Sequence, residues 1–308
     1  MKTLVPAILR WVVLLSGLTA GRALALPQRP IPAVEHVLII SVDGMRPDCA
    51  LRADMPVLRG LMREGAYTFW AKTTAVSVTL PSHTSMLTGV TPAKHGIVWN
   101  KELPFREPVY PAMPTILELA TQAGYDTAMI AGKTKLALLN KPGTISHVFL
   151  PAPKQEVTDA LVADDAIRII AAYQPALTFV HFPGPDATGH AKGWGSPEQI
   201  ATLEGIDRQL ARLRAALDQA GILGSTVIIV SADHGGAGLT HGADDVRSRH
   251  IPWIISGPGL RKNYDLTRDA ALEVRTEDTC ATACYLLGLP LKEYFDGKPV
   301  YAAFAPAK

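Results

Sequence analysis

Five short runs of apolar residues, separated by segments of helical periodicity, most strongly limit how this chain can fold. The runs are His36–Val42, Tyr125–Ala131, Leu177–Phe182, Thr226–Ser231 and Pro252–Ser256. They are continuously apolar rather than alternating, which is typical of strands covered on both faces of a sheet. Alternation of such strands with helices favours βαβ units. We therefore expect a single-domain α/β fold with a mostly parallel central sheet and helices on both faces.

Several segments carry helical patterns. In the longest, Pro197–Ala220, apolar residues recur at intervals of three and four, which is the spacing of a core-facing stripe. Ser196 is its predicted N-cap, because serine is favoured there and proline follows in the first helical position. Further helices are expected at Thr115–Ala123 and Thr158–Ala172, and another is expected to begin near Pro81.

The first 25 residues have the pattern of an export signal. Lys2 gives a positive start, Trp11–Leu18 is an apolar core, and Ala23–Ala25 is a small-x-small cleavage pattern. An uncleaved anchor helix is the alternative, disfavoured because spanning a bilayer takes roughly 20 apolar residues. We expect an extended linker at residues 26–35 and the folded domain at 36–308. A periplasmic or secreted location follows, without stable membrane insertion after cleavage.

Composition excludes some classes of partner. The chain has 308 residues, 48% of them hydrophobic, so a sizeable core can be buried. Its formal net charge is only +2, and no long basic run follows the leader. A nucleic-acid polymer is therefore not an expected partner.

The chain has three cysteines: Cys49, Cys280 and Cys284. An odd number gives no disulfide framework. The last two are expected on one helix face as small buried residues. A bond between one of them and Cys49 stays open at this point.

Three of the apolar runs end on an acidic residue with glycine or histidine close behind. Asp43 follows the first run, Asp186 and then His190 follow the third, and Asp233 with His234 follows the fourth. Because ligands bind outside the carboxyl ends of parallel strands, we expect these residues to converge on one edge. Carboxylates gathered in this way repel one another unless cations hold them. Histidines among them favour zinc over magnesium. Each motif alone is weak, and the prediction depends on all three occurring together.

A candidate nucleophile belongs to the same edge. Thr79 comes just before Pro81, where a helix is expected to begin. The positive end of a helix stabilises anions, which suits an alkoxide and a bound phosphate. A threonine hydroxyl is inert at neutral pH, and a bound metal is one way to ionise it. The alternative is that Thr79 is a simple N-cap.

Together these motifs resemble the type I phosphodiesterase/nucleotide pyrophosphatase branch of the alkaline phosphatase superfamily. The likeness runs from about His36 to Val300. Its carriers, in order, are Val42–Arg46, Thr79–Pro81, His95–Asn100, Asp186–His190, Ser231–Gly235, His241-Gly242 and Ile251–Gly259. The resemblance implies an alkaline phosphatase-like fold and two divalent metal ions, expected to be zinc.

The resemblance also implies roles for particular residues. One metal site would consist of Asp43, Thr79, Asp233 and His234, and the other of Asp186, His190 and His241. Thr79 would form a phosphothreonine intermediate, and Asn100 would bind a phosphoryl oxygen. His250 is the alternative to His241 as the last ligand. Three further residues near the motifs are interpreted as structural or solvated rather than functional: His83, His95 and Lys133.

The function that this resemblance implies is hydrolysis of small phosphate esters by a metal-dependent enzyme. Threonine as nucleophile, together with Asn100, favours diester or pyrophosphate bonds. A phosphomonoesterase or phosphonate hydrolase on the same scaffold is the main alternative, and a noncatalytic metal-binding module is a second. A sulfatase is disfavoured because Thr79–Pro81 does not match the Cys/Ser-x-Pro-x-Arg motif.

Overall fold

The computed structural model describes residues 26–102, 109–152, 155–242 and 244–306. The expected signal segment, residues 1–25, lies outside the described residues. Within these ranges the strands form one sheet. They are β1 (His36–Val42), β2 (Gly65–Lys72), β3 (Thr127–Ala131), β4 (His147–Phe149), β5 (Leu177–Phe182), β6 (Thr226–Ser231), β7 (His250–Ser256) and β8 (Tyr264–Asp265).

The sheet is mostly parallel, as the sequence predicts. Its strand order is β4-β3-β5-β1-β6-β7-β2-β8. β1 pairs in parallel with β5 and β6, which places these three strands side by side at the centre. β7 is the exception, since it runs antiparallel to both β6 and β2. The carboxyl ends of β5, β1 and β6 therefore meet at one edge.

Ten α-helices occur in the described ranges. They are α1 (Pro47–Arg52), α2 (Pro56–Glu64), α3 (Thr79–Thr88), α4 (Pro92–His95), α5 (Ile116–Gln122), α6 (Asp159–Tyr173), α7 (Gly184–Lys192), α8 (Pro197–Gln219), α9 (Val246–Arg249) and α10 (Asp278–Leu286). α8 packs against α1, α2, α6 and α7, whereas α3, α5 and α10 pack against one another. β3 contacts both α5 and α6, one helix from each group.

The helix boundaries follow the capping residues in the sequence. Ser196, Thr158 and Thr115 each accept a hydrogen bond from a backbone N–H in the first turn of α8, α6 and α5. Such caps satisfy an N–H that has no partner inside the helix. The predicted helices are found within two residues of their expected ends. β3 begins two residues later than expected and β7 two residues earlier.

The core is built from the central strands. β1, β5 and β6 are buried over nearly their whole length, as their uninterrupted apolar runs predict. The largest fully buried side chains include Trp253, Phe179 and Phe182. Burial of side chains of this size is the main favourable term in folding.

In residues 26–35, expected as an extended linker, every residue except Val34 is exposed or half-buried. The Val34 side chain is fully buried, and its N–H donates to the Ile31 carbonyl in a turn. Arg29 donates to the Val34 carbonyl at 2.7 Å. Elsewhere in the chain, Cys49, Cys280 and Cys284 are all buried free thiols, which answers the open question of pairing. Within the described ranges, no helix is long and apolar enough to cross a bilayer.

Candidate metal centre

The three acidic residues at the strand ends lie together in the structure. Asp43 follows β1, Asp233 follows β6, and Asp186 lies in the first turn of α7, just after β5. The side chains are buried, with relative exposures of 0%, 0% and 4% for the three residues. Convergence follows from the sheet order, because β5, β1 and β6 are neighbours. The spatial expectation from the sequence is met.

The carboxylates and histidines form two clusters. In each, one possible ligand atom from every residue lies within 4.8 Å of the others. The first cluster is Asp43, Asp233 and His234, and the second is Asp186, His190 and His241. In the first, His234 Nε2 lies 3.5 Å from Asp43 Oδ1. In the second, His190 and His241 place Nε2 at 3.5 and 3.6 Å from Asp186 Oδ1.

The two clusters adjoin each other. His234 Nε2, from the first, is 3.9 Å from Asp186 Oδ1 in the second. The rings of His234 and His241 stack with their centroids 3.7 Å apart and an interplanar angle of 11°. The clusters therefore form one centre that could hold two cations side by side.

Each histidine is oriented through its second ring nitrogen. His234 Nδ1 bonds to the Gly235 carbonyl, His241 Nδ1 to that of Ser77, and His190 Nδ1 to that of Leu239, at 2.8, 2.9 and 2.9 Å. A carbonyl only accepts, so Nδ1 carries the proton and Nε2 keeps its lone pair in the neutral ring. Burial and the neighbouring His234 lower the pKa of His241 to about 4, which keeps that ring neutral. Metal-binding histidines are held in this way.

Buried polar atoms that have no hydrogen-bond partner indicate whether cations would fit this centre. In the described part of the chain, five of them gather here: Asp43 Oδ1, Asp186 Oδ1, Asp233 Oδ2, His234 Nε2 and Thr79 Oγ1. Leaving such a group unpaired costs about 1–3 kcal/mol. The oxygens of ionised carboxylates and an imidazole lone pair cannot satisfy one another, because all of them accept. These residues fit divalent cations, and a mixed oxygen and nitrogen donor set is typical of zinc.

The protonation of the carboxylates points the same way. Burial alone would raise the pKa of Asp43, but the Lys133 charge and a hydrogen bond from His181 hold that pKa well below its usual range. Burial and the Asp43 charge raise the pKa of Asp233 to about 8. Without further positive charge, therefore, the two neighbouring carboxylates do not both ionise at neutral pH.

Thr79 lies beside the first cluster. It is the first residue of α3 and fully buried. His83 Nδ1 donates to the Thr79 carbonyl at 2.8 Å and lies 3.4 Å from Asp233 Oδ2, so it links the two residues. The simple N-cap interpretation of Thr79 is wrong, because Val78 is the N-cap and makes no side-chain cap.

Asn100 is held against the same helix end. Its Oδ1 accepts from the Leu80 backbone N–H at 3.1 Å and from Lys135 Nζ at 3.0 Å. Because both donors occupy the amide oxygen, the amide NH₂ remains to donate to another group. Since Leu80 directly follows Thr79, this contact brings the Asn100 amide group close to Thr79.

The remaining sequence candidates fall in different places. His250 is remote from both clusters in its contacts: its ring lies 4.2 Å from that of Trp70, and its Nδ1 bonds to the Val246 carbonyl. His95 packs as expected, bonded to Ser85 and to the Ile97 N–H. The structure therefore brings His241, rather than His250, to the second cluster.

The interpretation of Lys133 as a solvated side chain is wrong. Its Nζ lies 2.7 Å from Asp43 Oδ2 and 2.5 Å from Asp186 Oδ2. A lysine that follows a strand carries no local signal of this kind, because its partners lie far away in the sequence. His83, interpreted from the sequence as a packing residue, also contacts the centre, with Nδ1 3.4 Å from Asp233 Oδ2.

Two residues of the centre were missed altogether. His181, in β5, donates from Nε2 to Asp43 Oδ2 at 2.9 Å, while its Nδ1 accepts from the Gly132 N–H. Trp194 donates to the Gly44 carbonyl and packs edge-on against His190. A histidine inside an otherwise apolar strand was the available signal for His181.

A cavity of about 560 Å³ adjoins the helix that carries Thr79. Pro81, two residues after Thr79, and Val98, two residues before Asn100, both line it. Its wall carries basic groups from Lys72, Arg249 and Arg275 and acidic groups from Glu273 and Glu277. The cavity offers room for an organic group beside the first turn of α3.

With these clusters at the carboxyl edge of its sheet, the molecule falls into the alkaline phosphatase-like class of α/β proteins. Residues 37–251 match the family described as Type I phosphodiesterase / nucleotide pyrophosphatase, which is more than half of the chain. The chain belongs to this family, and the resemblance drawn from its motifs is confirmed.

Curated relatives are identical to this chain at about a quarter of the aligned residues. Bis(5'-adenosyl)-triphosphatase ENPP4 of Bos taurus is 26% identical over 217 residues, which cover 65% of this chain and 47% of the relative. Human ectonucleotide pyrophosphatase/phosphodiesterase family member 7 is 23% identical over 266 residues, 80% of this chain and 57% of the relative. The chain thus spans about half the length of these relatives.

Solved structures show the same fold. Murine ectonucleotide pyrophosphatase/phosphodiesterase 5, as an inactive variant in complex with AMP, superposes with a TM-score of 0.71 at 17% identity, covering 87% of this chain and 98% of that one. A 2-O GAG sulfatase superposes with a TM-score of 0.70 at 15% identity, covering 87% and 74%. At these identities the likeness shows the fold alone.

The choice between His241 and His250 can be tested by metal content. We expect His241→Ala to lower the divalent metal bound by the purified protein, because it removes one ligand from the second cluster. His250→Ala is the matched control and should retain the wild-type content in elemental analysis. A loss of metal in His250→Ala but not in His241→Ala would reverse the assignment.

Proposed function

We propose that this protein is an exported hydrolase that cleaves phosphodiester or pyrophosphate bonds of small molecules with two divalent cations, expected to be zinc, and Thr79 as nucleophile. The observation that carries the proposal is the group of unpartnered acceptors around Asp43, Asp186 and Asp233. Membership of the phosphodiesterase family supports the reaction class. Names of relatives such as "ectonucleotide pyrophosphatase/phosphodiesterase" support both the bond type and a location outside the cytoplasm.

The residues that would hold the cations follow from the two clusters. One cation would take Asp43, Thr79, Asp233 and His234, and the other Asp186, His190 and His241. When bound, such cations supply Lewis-acid stabilisation of phosphoryl oxygens and lower the pKa of hydroxyl groups and water.

Thr79 would carry the phosphoryl group through the reaction. Its hydroxyl loses a proton and Oγ1 bonds to phosphorus as the bond to the leaving oxygen breaks. The leaving group takes up a proton and departs as an alcohol or phosphate. Water then attacks the phosphothreonine, releases the phosphoryl product and restores the Thr79 hydroxyl. The location of Thr79 at the start of α3 supports this role, because a helix N-terminus favours anions.

Asn100 would orient and stabilise the phosphoryl group. With its amide oxygen occupied by Leu80 and Lys135, its NH₂ is free to donate to a phosphoryl oxygen. A donor held in place before the reaction stabilises developing charge at no cost of reorganisation. This arrangement suits phosphoryl transfer, in which positioning and electrostatics do most of the catalysis.

The cavity beside α3 favours a diester over a monoester. A diester carries two organic groups on phosphorus, and the space lined by Pro81 and Val98 can receive one of them. A monoesterase or phosphonate hydrolase would use the same metals with less need of this space. A noncatalytic module would not require a buried Thr79 hydroxyl left without a partner.

The nucleophile is tested by Thr79→Ala. We expect turnover of bis-p-nitrophenyl phosphate to fall on the order of 10³-fold or more, because no other residue replaces the attacking oxygen. Thr79→Ser keeps the hydroxyl and should retain much of the activity.

Chelation should abolish wild-type turnover, and added zinc should restore it. Wild-type rates in Thr79→Ala, or turnover that survives chelation, would contradict the mechanism.

The preference for diesters is tested by narrowing the cavity. Val98→Trp should raise the KM for bis-p-nitrophenyl phosphate about tenfold, since misfits in a binding pocket change discrimination by this order. It should leave p-nitrophenyl phosphate hydrolysis nearly unchanged. Val148→Trp, on the edge strand β4, is the control substitution. Faster wild-type turnover of the monoester than of the diester would favour the phosphomonoesterase alternative.

A further inference from the structure

A single lysine joins the two candidate cation clusters. Lys133 Nζ lies 2.7 Å from Oδ2 of Asp43, in the first cluster, and 2.5 Å from Oδ2 of Asp186, in the second. The lysine side chain is 18% exposed, and the two carboxylates are 0% and 6% exposed. Solvent therefore screens these contacts far less than it screens a surface ion pair.

Lys133 divides the oxygens of each carboxylate into two kinds. Oδ2 of Asp43 is satisfied twice, by Lys133 and by His181 Nε2 at 2.9 Å. Oδ2 of Asp186 is satisfied by Lys133. Oδ1 of both residues has no hydrogen-bond partner in the part of the chain that the structure describes. It is Oδ1 in each case that lies 3.5–3.9 Å from the histidine Nε2 atoms.

The backbone around Lys133 fixes this position. Gly132 precedes it at the end of β3, and its N–H donates to the carbonyl of His181 in β5. A Cβ at Gly132 would lie 2.5 Å from Pro183 Cδ, so a larger residue does not fit there. The close approach of these two strand ends places the lysine opposite the first turn of α7, where Asp186 lies.

We propose that Lys133 is the internal counter-cation of the metal-free centre, bridging Asp43 and Asp186 so that their Oδ1 oxygens stay turned toward the sites for metal. The inference rests on the two-cation centre proposed above. Lys133 is a positioning residue in this role: it acts through the two carboxylates and has no need to touch substrate. Its charge offsets part of the repulsion among three buried carboxylates when no metal is bound.

The contribution of Lys133 to protein stability should depend on whether metal is bound. In the metal-free protein, removing the ammonium group leaves Oδ2 of Asp186 without a hydrogen-bond partner and Oδ2 of Asp43 with only His181 Nε2, which is strongly destabilising. In the metal-loaded protein the cations supply the positive charge, and the same change should matter much less. A lysine needed only for packing would show no such dependence.

The experiment compares thermal unfolding of wild type and Lys133→Met in excess chelator and in saturating Zn²⁺. In chelator, we expect the Tm of Lys133→Met to lie at least about 5 °C below that of wild type. In Zn²⁺ the difference should shrink to less than about 2 °C. Lys133→Arg, which keeps the charge, should recover much of the loss in chelator. Should Lys133→Met unfold outright on chelation, circular dichroism before and after chelation reports the same effect.

Lys141→Met is the matched control. Lys141 lies in the following loop, is 55% exposed and pairs only loosely with Glu118 at 3.6 Å. It undergoes the same change of side chain, and its Tm should follow that of wild type in both conditions.

The outcomes separate this inference from the proposed function. An equal Tm loss in chelator and in Zn²⁺, or no loss in chelator, would overturn the counter-cation role. No loss in chelator together with a raised KM in Zn²⁺ would show instead that Lys133 binds substrate. If Zn²⁺ neither binds nor stabilises the wild type, the two-cation function fails, whatever Lys133→Met does in chelator.

Discussion

Repulsion among three buried carboxylates is the physical constraint around which this end of the molecule is built. Asp43, Asp186 and Asp233 are placed within contact of shared histidines and almost out of reach of water. Each carboxylate has local partners: Lys133 pairs with both Asp43 and Asp186, and His181 donates to Asp43. The N–H groups of Gly44 and His234 donate to Asp233 Oδ1. These donors bond to one oxygen of each carboxylate and leave the other oxygen without a hydrogen-bond partner. The negative charge of the three carboxylates is therefore only partly compensated.

The backbone is shaped to bring these groups so close. Gly44 adopts a positive φ of 74°, and a Cβ there would lie 2.9 Å from the Asp186 Cα. Gly236 lies under the Trp194 ring, where a Cβ would be 2.4 Å from its carbons. Glycine at these two positions lets the backbone pack directly against the neighbouring segment, at Asp186 and at Trp194. A side chain at either position would prevent this contact. The short distances at the centre are thus a consequence of tight loops as well as of strand order.

The sequence predicted the part of this arrangement that depends on local pattern. Continuous apolar runs identified the central strands, and Ser196, Thr158 and Thr115 marked helix starts. β2, β4 and β8 were missed, because β2 mixes buried and exposed residues around a bulge and the other two are only three and two residues long. Contacts of Lys133 and His181 with Asp43 join residues about 90 and 138 positions apart. No local pattern records such pairings, so they emerge only once the strands are ordered.

The unpartnered atoms support the proposal that this centre has a chemical rather than a purely structural role. A buried hydroxyl such as that of Thr79 would ordinarily bond to a neighbouring carbonyl, as Thr84 and Thr88 do within the same helix α3. Thr79 cannot do so, since it begins the helix and has no preceding turn below it. Its oxygen instead shares one need with Asp43 Oδ1, Asp186 Oδ1, Asp233 Oδ2 and His234 Nε2, all of which lack a donor. Bound cations would satisfy all five atoms at once. A purely structural role would need a separate explanation for each of them.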